Sequence, residues 1–185
     1  KKVKMDNLNP EDKLSEMQEL IEEMNYVYKI SHSISENKPL DVLLKEIMES
    51  CKVLMKAEAS SLMIYDEKEN NLVFRVATGE KGEIVKQISI EMGEGIAGWV
   101  AENRESLLIE DCYKDPRFNP DFDKKSNFIT KSMLCVPLIH REKLVGVIQV
   151  INKKNDKPFT ERDLNIFNLL ASQCAISIEN AKLVT

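Results

Sequence analysis

The sequence predicts an α+β domain: a central antiparallel sheet with long N- and C-terminal helices on one face and short helices and a loop on the other. Apolar residues recur every three or four positions near both ends of the chain, whereas short β-rich runs fill its middle. Polar turns join neighbouring runs as hairpins, which implies antiparallel pairing. With 185 residues, 43% of them hydrophobic, the chain can form one domain with an ordinary core.

The first 35 residues are predicted to be helical, with Asn9 as N-cap and Pro10 in the first turn. An apolar stripe of heptad type follows, formed by Leu14, Met17, Ile21, Met24 and Tyr28. We interpret residues 1–36 as a dimerisation and signalling helix, and residues 37–185 as the domain that it precedes. The alternative is that this stripe only covers the sheet.

The remaining elements follow from periodicity and turn chemistry. A second amphipathic helix is predicted at 41–56, a short helix at 96–102, and strands at 60–65, 72–78, 86–90, 107–109, 133–139 and 144–151. Thr160 caps a last helix, with Asp163 in the capping-box position. That helix carries a second stripe, formed by Leu164, Phe167, Ala171, Cys174, Ile178 and Ala181, which suits either a dimer or the sheet.

Residues 111–130 are the least regular part of the sequence. They are polar and contain two prolines, yet they include four aromatic residues: Tyr113, Phe118, Phe122 and Phe128. A solvated loop rarely carries so many aromatic side chains, so we expect this segment to fold back over the core or over a ligand.

Composition excludes several classes of function. The net charge of −5 argues against a general nucleic-acid partner, and no apolar run has the length of a membrane span. Four widely separated cysteines, without a CxxC pair or a Cys/His cluster, predict buried free thiols in a reducing cytoplasm and no metal site. The chain does not begin with Met, which we take to indicate a fragment of a larger cytoplasmic protein.

The stretch GEGIAGWV at 93–100 places three glycines between a strand and a short helix. One interpretation is a tight strand-to-helix turn that needs positive φ. The other is a ligand-binding wall, in which the free N–H groups of the helix start face an anion or a carbonyl.

Four stretches in this order resemble the GAF domain, a small-molecule sensor module of cyclic-nucleotide phosphodiesterases and bacterial signalling proteins: GEGIAGWV at 93–100, LIED at 108–111, SMLCVPL at 132–138 and LVGVIQVINK at 144–153. The resemblance runs from about residue 40 to residue 178. It implies a non-catalytic regulatory domain with a ligand pocket under 111–130, a homodimer through the terminal helices, and a linked effector domain. The ligand it implies is a small molecule, and a cyclic nucleotide is one candidate.

The end of the chain also resembles a signature of the cyclic-nucleotide-binding members. Asn152, Lys153, Phe159 and Asp163 match it, and Leu164 replaces a glutamate. The resemblance implies that Lys153 and Asp163 form a structural salt bridge between the last strand and the last helix.

The same resemblance implies a set of ligand-binding residues: Ser61, Ala77, Gly95, Ile96, Ala97, Asn119, Asp123, Ser126, Thr130 and Gln149. Three of these depart from the family pattern, since Ala77 and Asn119 replace aromatic residues and Gln149 replaces a carboxylate. Base stacking on an aromatic ring contributes about 1–3 kcal/mol, so Phe118 or Phe122 would have to supply it here.

Two other functions remain open at this point. Free methionine sulfoxide reductases share the fold and use loop cysteines, and Cys112 is the loop cysteine of this chain. Some members are also ligand-free dimerisation modules, in which the pocket is filled by the protein itself.

Overall fold

The computed structural model describes residues 9–35, 38–79 and 88–184. The helices are α1 (Pro10–Ser35), α2 (Leu40–Leu54), α3 (Gly95–Asn103), α4 (Asp121–Ser126) and α5 (Glu161–Val184). The strands are β1 (Ala57–Asp66), β2 (Asn71–Thr78), β3 (Ser89–Glu91), β4 (Leu107–Ile109), β5 (Met133–His140) and β6 (Lys143–Lys153). Two 3₁₀ turns, Cys112–Lys114 and Lys154–Asp156, complete the described elements.

The six strands form one antiparallel sheet in the order β3-β2-β1-β6-β5-β4. The two hairpins predicted from sequence, β1–β2 and β5–β6, are joined through the central β1–β6 pair. The α+β class with a central antiparallel sheet is therefore confirmed.

Each face of the sheet has its own core. On one face, α2 and α5 pack against the sheet through buried residues such as Leu44, Ile47 and Phe167. On the other face, α3 and the segment 111–130 pack through Ile96, Val100 and Cys112. Because side chains alternate between the two faces of a strand, each central strand contributes to both cores.

Two elements differ from the expectation. The third strand was predicted at 86–90, and the structure has β3 at Ser89–Glu91. Residues 86 and 87 of the predicted strand lie outside the described residues. The segment 111–130 is not merely a loop, because it contains a 3₁₀ turn and the short helix α4. The expected boundary between residues 36 and 37 also falls on residues outside the described part.

The two predicted apolar stripes have different environments. On α5, Phe167, Ala171, Cys174 and Ile178 are at most 3% exposed, so this stripe covers the sheet. The stripe of α5 is therefore part of the core, which agrees with the interpretation that it covers the sheet. A different row of α5 is exposed, formed by Leu169, Ile176 and Leu183.

The stripe of α1 does not cover the sheet. Its five residues, Leu14, Met17, Ile21, Met24 and Tyr28, are between 53% and 70% exposed. Toward its end the helix is held to the domain, where Ile30 is buried and Glu23 accepts a hydrogen bond from Arg162 of α5 at 2.7 Å. Residues 14–28 of α1 therefore present an uncovered apolar stripe of heptad spacing.

The start of α5 is fixed to the end of β6. The Lys153 ammonium group donates to the Asp163 carboxylate and lies 5.7 Å from the centre of the Phe159 ring. Thr160 and Asp163 form the predicted capping box: Thr160 N–H donates to Asp163 Oδ2 at 2.9 Å, and Asp163 N–H donates to Thr160 Oγ1 at 3.1 Å.

We expect Lys153→Met to destabilise the domain by about 2 kcal/mol, because it leaves the Asp163 carboxylate without its cation. The effect is smaller than for a fully buried pair, since the two side chains are 13% and 15% exposed. Urea unfolding measures the difference, with Lys157→Met at an exposed position as the control. A Lys153→Met variant as stable as the control would contradict the stabilising role of this ion pair.

Candidate ligand-binding site

A cavity lies between the sheet and the segment 111–130, which we call the roof segment. It contains about 830 Å³ of space between atoms, including its open mouth. All ten residues that the resemblance implied as ligand contacts line it: Ser61, Ala77, Gly95, Ile96, Ala97, Asn119, Asp123, Ser126, Thr130 and Gln149. These residues come from five separate parts of the chain, so the fold brings them together.

The floor of the cavity is a row of residues across the sheet. Three lining residues, Ala77, Ser61 and Gln149, lie opposite one another in register, on β2, β1 and β6 respectively. Residues that are directly opposite in antiparallel strands point to the same face. Among the described residues, the buried hydroxyl of Ser61 has no hydrogen-bond partner.

One wall is the start of α3, where the glycine motif lies. Gly95 has φ +62°, a conformation that favours glycine, and an added Cβ there would lie 3.5 Å from the Phe122 ring and 3.8 Å from Asn119 Cβ of the roof segment. Gly98 has no room for a side chain, because an added Cβ would lie 2.5 Å from the Glu91 carbonyl oxygen. The tight-turn interpretation of the motif is therefore confirmed, and Gly95, Ile96 and Ala97 also line the cavity.

The roof segment is closed on itself by the buried carboxylate of Asp123. Its Oδ2 accepts from the Tyr113 hydroxyl at 2.8 Å and from the Thr130 N–H at 2.7 Å, and its Oδ1 accepts from the Thr130 hydroxyl at 2.6 Å. The hydrogen bond to Asp123 raises the pKa of Tyr113 above its ordinary value. The Asp123 carboxylate thus joins the two ends of the roof segment to α4.

Arg117 fixes the roof segment to α3. Its guanidinium carbon lies 4.6 Å from the centre of the Trp99 ring, and its Nε and Nη2 donate to the Asp115 carboxylate at 2.8 and 2.6 Å. These hydrogen bonds from Arg117 lower the pKa of Asp115. The guanidinium is therefore engaged with Asp115.

Asn152 connects the exit of the roof segment to β6. Its side-chain oxygen accepts from the Lys131 N–H at 2.6 Å, and its side-chain nitrogen donates to the Ile129 carbonyl at 2.7 Å. The sequence analysis placed Asn152 in the family signature but did not predict these hydrogen bonds to the roof segment. They depend on where the fold places Asn152 relative to the roof segment.

Four phenylalanines line the cavity: Phe74 from β2, and Phe118, Phe122 and Phe128 from the roof segment. Phe118 and Phe122 were expected to supply the aromatic stacking that is missing where Ala77 and Asn119 replace aromatic residues of the family. Phe74 and Phe128 were not assigned to the site, although Phe128 belongs to the aromatic group that marked this segment. The cavity therefore offers flat apolar walls around a small polar floor.

The described lining residues include two carboxylates, Glu94 and Asp123, and no basic side chain. Glu94 accepts from the Glu91 N–H at 3.0 Å. Within the described ranges, no group of His, Cys, Asp and Glu side chains is arranged to hold a metal ion. In the same ranges, no helix combines the length and apolar character needed to cross a bilayer.

The cysteines are free and buried. Burial raises the pKa of the Cys112 thiol to about 12, with the nearby Asp115 adding to the effect. Burial likewise raises the pKa of Cys135, with the neighbouring Cys112 as the second cause. A thiolate nucleophile is therefore disfavoured at Cys112, the residue on which a reductase mechanism would depend.

We expect the native domain to resist alkylation by iodoacetamide at pH 8, because each thiol is buried and disfavoured as a thiolate. Mass spectrometry should show modification about 100-fold slower than in the urea-unfolded chain. The unfolded chain serves as the control for reagent and for thiol number. Fast alkylation of Cys112 in the native domain, with methionine sulfoxide turnover that Cys112→Ser abolishes, would support the reductase instead.

The structure is a three-layered α+β domain, with long helices on one face of the sheet and, on the other face, a cavity under a layer of short helices. Residues 39–178 match the family model of the GAF domain, and this match covers more than half of the chain. The chain therefore belongs to the GAF domain family.

Among curated proteins, the chain is 34% identical over 169 residues to "Probable 3',5'-cyclic phosphodiesterase pde-5" of Caenorhabditis elegans, covering 86% of this chain and 23% of that protein. It is 30% identical over 177 residues to "Dual 3',5'-cyclic-AMP and -GMP phosphodiesterase 11" of Drosophila melanogaster, covering 88% of this chain and 12% of that protein. The chain thus spans less than a quarter of these relatives.

Among solved structures, the GAF domain of a phosphoenolpyruvate-protein phosphotransferase from Coxiella burnetii superposes with a TM-score of 0.79 at 21% identity, covering 88% of this chain and 96% of that one. The corresponding domain from Acinetobacter gives a TM-score of 0.76 at 25% identity, covering 88% of this chain and 96% of that one. The chain is accordingly homologous to the GAF part of cyclic-nucleotide phosphodiesterases, and GAF domains are generally regulatory and non-catalytic.

Proposed function

We propose that this domain is the ligand-binding sensor of a larger cytoplasmic signalling protein, that its ligand is a cyclic nucleotide, and that dimeric helices pass the signal to a linked effector domain. The observation that carries the proposal is the cavity, because ten residues implied by the family resemblance converge on it. Its floor holds the buried hydroxyl of Ser61, which has no partner within the part of the chain that the structure describes. Buried polar groups normally have partners, so a ligand that supplies one is favoured.

The chemistry of the cavity supports a nucleotide. The phenylalanine walls suit a planar base. The start of α3 suits the phosphate, since the N–H groups of Ile96 and Ala97 belong to the first turn of the helix and have no intrahelical acceptor. Two relatives, a probable cyclic phosphodiesterase and a dual cyclic-AMP and -GMP phosphodiesterase, bear names that agree with this ligand class.

The exposed stripe of α1 supports a homodimer. A second copy presents the same five apolar residues with the same spacing, so two α1 helices can cover each other as a coiled coil. The exposed row of α5, with Leu169, Ile176 and Leu183 at intervals of seven, extends the apolar surface toward the C-terminal end of the chain. If these helices tilt when the ligand binds, the movement would be transmitted along them to an effector domain.

Ligand binding is tested by thermal unfolding and calorimetry of the purified domain with cAMP, cGMP and 5'-AMP. A cyclic nucleotide at 100 times its dissociation constant should stabilise the domain by about 2.7 kcal/mol. Gly95→Leu, which fills the mouth of the cavity toward Phe122, should abolish the shift. No shift with either cyclic nucleotide, in a domain that unfolds cooperatively, would reject this ligand and favour the ligand-free dimerisation module.

We expect Ile21→Glu to weaken the dimer at least about tenfold, because it places a charge in the middle of the apolar stripe of α1. Sedimentation equilibrium measures the association constant. Glu16→Lys, at an exposed position of the same helix but outside the stripe, is the matched control. A parent domain that stays monomeric at high concentration would reject dimerisation through α1.

A further inference from the structure

A short chain of hydrogen bonds connects the cavity with the helices on the other face of the sheet. Ser60 of β1 and Thr78 of β2 lie opposite one another in register, line the cavity and are 1% and 6% exposed. Their hydroxyl oxygens are 2.6 Å apart. The Ser60 hydroxyl also donates to the Met48 carbonyl of α2 at 2.9 Å. We call these three groups, Thr78, Ser60 and Met48, the hydroxyl relay.

The number of hydrogens fixes the direction of each bond in the relay. A hydroxyl group has one hydrogen to donate. Because the Ser60 hydroxyl donates to Met48, it accepts from the Thr78 hydroxyl across the 2.6 Å contact. The Thr78 oxygen in turn accepts from the Ser60 N–H at 3.2 Å. Since each bond polarises the next, a change at Thr78 alters the bond that reaches α2.

The other hydroxyls of the cavity that form hydrogen bonds stay within the roof segment. The Ser126 hydroxyl donates to the Phe122 carbonyl at 2.9 Å, and the Thr130 hydroxyl donates to Asp123 at 2.6 Å. Among the described lining residues, Ser60 is the one whose side chain hydrogen-bonds to α2. The relay is therefore a polar connection between the two faces of the sheet.

We propose that the hydroxyl relay couples occupancy of the cavity to α2 and, through α2, to the helices of the dimer. Thr78 ends β2, directly after Ala77 of the cavity floor. A ligand that shifts this strand end changes the bond from Thr78 to Ser60, and the change reaches the Met48 carbonyl. Met48 is fully buried in the core that also contains Ile30 of α1. This inference rests on the proposed sensor function and names the route of its signal.

The readout is hydrogen exchange of the α2 amides, resolved by NMR. The Met48 carbonyl is also the helical acceptor for the Lys52 N–H, so the Lys52 amide reports on the end of the relay. Saturating cAMP or cGMP should change the exchange rate of this amide at least about threefold in the parent domain. Ser60→Ala and Thr78→Val should abolish that change while the response of the roof segment remains. Thr78→Ser, which keeps the hydroxyl, should retain the change.

Ser177→Ala is the matched control, because the Ser177 hydroxyl also donates to a helix carbonyl, that of Gln173 at 2.9 Å, but within α5. This variant should keep the response of Lys52. A second arm needs no ligand, since Ala77→Leu enlarges a side chain of the cavity floor. It should change Lys52 exchange at least about threefold in the parent background and leave it unchanged in the Ser60→Ala background.

The outcomes separate this inference from the proposed function. If a cyclic nucleotide binds but Lys52 responds equally in the parent and in Ser60→Ala, or in neither, the relay is refuted while the sensor stands. If neither cyclic nucleotide binds but Ala77→Leu changes Lys52 exchange only with the Ser60 hydroxyl present, the relay stands and the proposed ligand falls. If neither has any effect, both are refuted. Thr78→Val replaces Ser60→Ala, and Ala77→Val replaces Ala77→Leu, where a first choice fails to fold.

Discussion

Replacing Gly146 by Ala should destabilise the domain by about 3 kcal/mol, one of the two largest effects expected of a single substitution here. Gly146 lies on β6 opposite Ile64 of β1 and Leu138 of β5, at the centre of the sheet. An added Cβ would lie 2.0 Å from the Met63 carbonyl oxygen. Because that atom belongs to the backbone of a central strand, it cannot move without disturbing the β1–β6 ladder. Urea unfolding followed by circular dichroism measures the loss.

The matched control is Gly95→Ala, which adds the same methyl group at a position with space. An added Cβ there lies 3.5 Å from the Phe122 ring, an ordinary contact. The positive φ of Gly95 alone should cost about 1 kcal/mol. If Gly146→Ala costs no more than Gly95→Ala, close approach of the strands is not what requires glycine at position 146.

The sheet and the long helices were predictable from sequence because each has a strong local signal. Residues 133–139 and 144–151 are predominantly apolar runs joined by four polar residues, and they form the β5–β6 hairpin. The Thr160–Asp163 capping box marked the start of α5, and both of its hydrogen bonds are present. In such elements, periodicity and end signals lie within a few residues of each other, so no distant contact is needed to recognise them.

The roof segment was less predictable because its order depends on distant contacts. Nothing local to Asp123 shows that its carboxylate accepts hydrogen bonds from Tyr113 and Thr130. Similarly, the sequence of α5 is equally compatible with a stripe that packs in the core and with a stripe that is free to contact a second copy. The sheet that buries Phe167 decides between the two, and it lies elsewhere in the chain.

The candidate site was predicted largely through the family resemblance. Spacing alone does not bring Ser61, Ala77 and Gln149 together, since their proximity requires the strand order and the register. The aromatic walls were only partly foreseen. Phe74 looked like a core residue of an alternating strand, and its place in the cavity depends on which sheet face the roof segment covers.

We expect Asp123→Ala to release the roof segment and to destabilise the domain by about 3 kcal/mol. The carboxylate is 7% exposed and accepts three hydrogen bonds, one of them from the buried N–H of Thr130. Removal of the acceptor leaves that N–H buried without a partner, which costs more than the loss of an exposed bond. Hydrogen exchange should show lost protection in residues 112–131, where the Cys112 N–H now donates to the Lys131 carbonyl at 2.7 Å.

Tyr113→Phe separates the three hydrogen bonds, because it removes only the one made by the half-exposed phenol and should cost about 1 kcal/mol. Trp99 gives a second readout, since it is the one tryptophan of the chain and Arg117 of the roof segment lies over its ring. Its fluorescence should change in Asp123→Ala and stay near the parent value in Tyr113→Phe. Protection of β6 amides should be retained in both variants, because the β1–β6 and β5–β6 ladders do not involve Asp123. Unchanged exchange and fluorescence in Asp123→Ala would show that packing of Phe118, Phe122 and Phe128, and not the carboxylate, holds the roof over the cavity.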